Sequence, residues 1–74
     1  MAMPKSVFSK DYQIAIKRLK EARLEAGLTQ AEVAKKIGKP QSYISKIECG
    51  ERRVDIAELK ILARVYRKSL SFFI

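Results

Sequence analysis

Gln41, Ser42, Ser45 and Lys46 are the residues of this chain best suited to chemistry, and that chemistry is recognition rather than catalysis. In the second of two short helices, which Pro40 opens, Ile44 and Ile47 point one way, the four polar side chains fall on other faces, and Tyr43 stands at the border. A solvated helix surface is ordinarily covered by Glu and Lys. Gln, Ser, Ser and Lys offer instead donors and acceptors of the kind that pair with base edges in the major groove. Catalysis lacks its parts. The chain has no histidine, and its single cysteine, Cys49, has no base beside it, so neither a nucleophile–base pair nor a metal site is expected. Cys49 cannot form an internal disulfide, and nothing argues for an oxidising compartment.

Sixteen Lys and Arg against eight acids leave a net charge of +8 on 74 residues. Such a surplus attracts a polyanion and costs stability through self-repulsion. DNA, RNA and acidic membranes all qualify as partners. The length allows one domain, and an apolar fraction of 47% is ample for a small helical core. No apolar run is long enough to cross a membrane and no signal-peptide pattern is present, so a soluble, cytoplasmic protein without a cofactor is expected.

Helices must position the polar set. The stretch 29–49 reads as two short helices joined by a tight turn. Thr29 and Glu32 have the spacing of a capping box, with Leu28 and Val33 as its hydrophobic staple. Val33, Ala34 and Ile37 share one face, Gly38 suits a left-handed helix end, and Pro40 suits the first position of the following helix. Upstream, Ser9 caps a helix of about four turns on which Tyr12, Ala15, Ile16, Leu19, Ala22, Arg23 and Ala26 form a stripe, until Gly27 ends it. Arg23 is the anomaly, a charge on the apolar side. Downstream, Asp55 and Glu58 repeat the capping box, and Ile56, Leu59, Leu62, Ala63 and Tyr66 line an inward face. Leu70, Phe72, Phe73 and Ile74 are too apolar to be left in water, and either close the core or make a dimer contact. Residues 1–8 carry no pattern and are expected to form a flexible N-terminal arm, with 9–74 as the domain.

With the helices placed, residues 16–73 resemble the lambda repressor/Cro-like (Xre) helix-turn-helix family, through GLTQAEVAKKIG, then PQSYISKIECGERR, then the helix ending in LARVY. The resemblance implies an all-α, compact five-helix DNA-binding domain with a homodimer as the active species. It implies that Gln30 bonds a phosphate and braces the first reading residue. Gln41 and Ser42 match the first outward positions of the recognition helix, where such a Gln reads adenine. Lys46 matches a base-reading position, for guanine or for a phosphate, and Tyr43 one that touches the backbone or a thymine methyl. Ser45 faces the edge of the groove. Arg23 and Glu48 match an arginine–glutamate pair that ties the first helix to the end of the recognition helix, which accounts for the charge on the stripe. The chain departs from the pattern at Lys39–Pro40, where relatives carry a Ser or Thr cap, and near Arg67, where glycine is usual.

The leading expectation is therefore a sequence-specific regulator of transcription, a repressor, whose two copies bind an inverted-repeat operator in double-stranded DNA. Lys35, Lys36, Lys39, Arg52 and Arg53, with Ser45, are expected to contact phosphates. A toxin–antitoxin or restriction–modification controller would use the same face, in the first case with a toxin as protein partner. The alternative of another class is a protein-interaction module that docks through Phe72, Phe73 and Ile74.

Overall fold

The computed structural model describes residues 9–74; the expected arm, 1–8, lies outside them. The described residues are all helical or loop: α1 (Lys10–Glu25), α2 (Gln30–Ile37), α3 (Gln41–Glu48) and α4 (Ile56–Tyr66), followed by a 3-10 turn over Leu70–Phe72. The fifth helix expected is thus only that single turn.

Each helix begins where its cap is. The Ser9 hydroxyl accepts from the Tyr12 amide and starts α1. Both capping boxes form: the Thr29 hydroxyl accepts from the Glu32 amide while the Glu32 carboxylate accepts from the Thr29 amide, and Asp55 and Glu58 do the same for α4. Pro40 corrects the sequence reading by one residue. It precedes α3 as its cap, with an extended ψ of 156°, rather than occupying the first helical position. Proline has no side-chain acceptor, so no side chain caps α3; the Pro40 carbonyl accepts from the Tyr43 amide instead.

Two helices end in the left-handed conformation. Gly38 closes α2 at φ 72°, and the Lys39 amide reaches back to the Ala34 carbonyl, 2.9 Å away. Arg67 closes α4 at φ 60°, where a side chain is strained and glycine would not be.

The core lies where the helices face one another. Leu19 and Ala22 of α1 meet Val33 and Ala34 of α2, Ile44 and Ile47 of α3, and Leu62, Ala63 and Tyr66 of α4. Burying a side chain such as Leu19, Ile44 or Ile47 stabilises the fold by about 1.5–3 kcal/mol each. Ile56 departs from its expected inward stripe and stands 57% exposed, because it is the first residue of α4 and projects beyond the neighbouring helices.

The chain's last residues also divide differently from expectation. Phe73 enters the core at 2% exposure, with Leu70 one 3-10 turn earlier packed against that core. Phe72 is half-buried under two cations, with Lys68 4.6 Å and Arg18 5.6 Å from its ring centroid, while Arg18 Nη1 donates to the Phe72 carbonyl at 2.8 Å. Ile74 is 82% exposed. Of the expected patch, then, Phe73 is withdrawn into the core, Phe72 is half-buried and Ile74 is exposed.

Candidate nucleic-acid interface

Packing sets which side of α3 faces outward. Ile44 and Ile47 are each 1% exposed, so Gln41, Ser42 and Lys46 are driven to solvent, and Tyr43 and Ser45 lie half-buried at the flanks. The structure thus brings the sequence-derived polar set onto one accessible side of one helix, beside the start of α2.

A hydrogen-bonded relay runs from the core to that surface. Arg23 of α1 meets Glu48 of α3 in a two-pronged contact, Nε to Oε2 at 2.7 Å and Nη2 to Oε1 at 3.0 Å. Its remaining nitrogen, Nη1, donates to the Leu28 carbonyl at 2.9 Å. Glu48 Oε1 also accepts from Gln30 Nε2 at 3.0 Å, and Gln30 Oε1 accepts from Gln41 Nε2 at 3.3 Å. Burial makes this pair a unit: the two side chains are 9% and 6% exposed, and each charge needs the other. Hydrogen bonding to Glu48 holds the Arg23 pKa above its usual value, and the net effect of burial and the Glu48 charge pushes the Tyr66 hydroxyl up as well. No described buried side-chain nitrogen or oxygen is left without a partner.

Arg52 has partners within the fold. It forms a second two-pronged pair, Nη1 and Nη2 to the Glu58 carboxylate at 3.2 and 3.0 Å, and Nη1 also donates to the Arg53 carbonyl at 2.9 Å. Its guanidinium carbon lies 4.5 Å from the centroid of the Tyr43 ring. Arg52 therefore braces Tyr43 and α4, with its side chain 39% exposed. Glu58 joins the Asp55 cap, Arg52 and the Tyr43 hydroxyl, and chiefly through Arg52 its pKa is lowered to about 2. The Tyr43 hydroxyl is shifted up by burial and by its hydrogen bond to Glu58.

The other basic residues expected at phosphates do not share one side: Arg53 lies with Tyr12 of α1 and the start of α4. Lys35 and Lys36 are exposed in the last turn of α2, Lys39 lies 5.3 Å over the Tyr43 ring, and Arg53 lies 5.6 Å over the ring of Tyr12. Two structural participants went unseen in the sequence. Glu58 reads there only as a cap, since no helical period spans the loop to Arg52. Tyr12 reads as an apolar stripe residue, yet its hydroxyl accepts from the Val54 amide at 2.9 Å and pins the loop before α4. Among the described residues no acid, cysteine or histidine cluster could hold a metal ion, and no helix is long and apolar enough to cross a membrane.

Compared with known families, residues 19–73 match the helix-turn-helix family model. No curated protein matches the chain.

Proposed function

Since the chain belongs to the Cro/C1-type helix-turn-helix family of DNA-binding regulators, we propose that it is a repressor whose two copies bind an inverted repeat, each laying α3 in a major groove. The observation that carries this reading is the relay from Arg23 through Glu48 and Gln30 to Gln41, because it ends on an exposed amide held in one orientation. One N–H of Gln41 is engaged by Gln30. Its oxygen and second N–H remain to accept from adenine N6 and donate to N7. Ser42 and Lys46 extend the reading along the helix, with Lys46 on a guanine or a phosphate, and Tyr43 meets a thymine methyl or the backbone. Gln30, Ser45, Lys35, Lys36, Lys39 and Arg53 serve the phosphates, and Arg52 contributes through Tyr43.

The domain's longest dimension is 37 Å, comparable with the roughly 34–36 Å between half-sites one helical turn apart. The competing reading, a protein-docking module, has less support, since Phe73 of its three residues lies in the core.

The test is selection of random duplex DNA at about physiological salt, where non-specific attraction is screened. An enriched inverted repeat is expected. Gln41→Ala should then lose about 1–3 kcal/mol of preference at one base pair without changing the salt dependence. Equal loss of affinity for all sequences would remove Gln41 as a reader.

A further inference from the structure

Beside the last turn of α2 and the outer side of α4, two adjoining cavities of about 350 and 470 Å³ form one trough, for Lys36 and Val65 line both. Its floor is apolar, with Ile37, Ile61, Leu62 and Val65 in the first part and Leu28 in the second. Ile61 is 45% exposed, and Ile37, Val65 and Leu28 are half-buried, so the floor is open to a ligand. The free charges along it have one sign. Lys36, Lys39, Arg64 and Arg67 are exposed on its edges, and none of them meets a carboxylate among the described residues. Both of its acids are already held, Glu58 by Arg52 and Glu25 by Lys68. The larger cavity between the first turns of α1 and of α4, about 670 Å³, instead sets two acids against two arginines.

We infer that this trough receives an acidic amphipathic helix of a partner protein, and that the partner takes Lys36 and Lys39 away from DNA. The occupant follows from the two halves of the lining. Phosphates would use the cations and leave the isoleucines wet, and a flat bilayer does not enter a concave strip between two helices. A helix with apolar residues at steps of three and four lays them on the floor, while carboxylates on its flanks reach the cations. The side of α4 that it meets has the same grammar, since Ile61, Arg64 and Val65 are neighbours on one stripe. Lys36 and Lys39 line the first cavity and are also two of the residues that the DNA reading gives to phosphates. The competition rests on that reading; the docking does not. A carboxylate seated on either lysine repels an incoming phosphate, so occupation of the trough loosens the hold on DNA.

The probe is a synthetic peptide of about four helical turns, with leucines on one face and glutamates on both flanks. A scrambled peptide of the same composition is its control. Fluorescence anisotropy of labelled peptide with the whole chain, at about physiological salt, screens out diffuse attraction. The ordered peptide should bind more tightly than the scrambled one. Ile61→Ser should weaken that binding by about tenfold or more, and Arg64→Gln by a smaller factor. Lys60→Gln removes an exposed cation of the same helix outside the trough, and should leave binding unchanged. None of the three is assigned to DNA, so each variant should keep its affinity for the selected duplex, which also shows that it folds. The ordered peptide should release that duplex from the wild type, and release should fail with Ile61→Ser. Equal binding of the two peptides, or equal losses from Lys60→Gln and Arg64→Gln, would reduce the trough to diffuse charge and overturn it. A complex holding peptide and DNA together overturns the competition. Anionic vesicles that bind with the same dependence on Ile61 while the ordered peptide does not would give the face to a membrane, and overturn the proposal too. Absence of any enriched DNA sequence is the separate failure, that of the DNA reading, and it leaves the peptide titration to decide the docking.

Discussion

Two arginine–glutamate pairs flank α3, and their geometry is nearly the same. Arg23–Glu48 and Arg52–Glu58 are both two-pronged, with closest contacts of 2.7 and 3.0 Å. Their surroundings differ. The first pair is 9% and 6% exposed and sits under the helix, while the second is 39% and 21% exposed and braces the helix's flank and the following loop. Water competes for the second pair at every moment and for the first hardly at all. Equal distances therefore conceal unequal consequences: the buried pair is a condition of folding, and the exposed one is an adjustment of shape.

The comparison breaks most easily at Arg23. Arg23→Met strands the Glu48 carboxylate and should cost about 3–5 kcal/mol, which for a domain of this size lowers the melting midpoint by roughly 12 °C or more. Melting within a few degrees of the wild type would show that burial is not what separates the pairs. Replacing both partners, Arg23→Met with Glu48→Leu, should recover much of the loss, because the penalty lies in the unpaired charge rather than in the missing bond.

Next in size is acid. Glu58 titrates at about 2 when folded against 4.5 in the reference state, so folded protein binds fewer protons than unfolded between those values. Its contribution is present above pH 4.5 and is lost as the pH falls towards 2. Melting curves across that window should fall less steeply for Glu58→Gln than for the wild type. Parallel curves would mean that the Arg52 contact is too weak to matter. Arg52→Met should lower the midpoint less than Arg23→Met, and added salt should erase much of its effect while sparing that of Arg23.

The smallest effect sharpens the contrast by removing charge from it. Arg67 has a left-handed backbone at φ 60° and is exposed. Arg67→Gly should stabilise the chain by about 0.5–1 kcal/mol in a chemical denaturation series, the relief of strain being partly offset by a freer unfolded chain. A loss of stability there would mean that the arginine side chain, not its backbone, decides.

How much of this was legible in the sequence follows the range of each interaction. The two capping boxes, Gly38, and the inward Ile44 and Ile47 are local, and spacing alone located them. Arg23 announced a problem, a charge on an apolar stripe, but its partner is 25 positions away and came only through family resemblance. Arg52 and Glu58 are joined across a loop, where no period relates one side chain to another. The apolar end of the chain shows the other limit. A 3-10 turn has about three residues, so Leu70 and Phe73 align inward while Phe72 and Ile74 turn aside. Composition alone makes the four residues look alike. Pro40 was misplaced by one position because proline's fixed φ is compatible with both the cap and the first helical residue, and only ψ separates them.

The cavity of about 670 Å³ between the first turns of α1 and of α4 has a topological consequence. Ser9 and Ile74 both line it, so the described chain returns almost to its starting point, and the fold is close to a ring opened at one place. A chain permuted by linking 74 to 9 and opened in the loop between α3 and α4 would keep α2 and α3 contiguous. Circular order and fold would then be separable properties of residues 9–74.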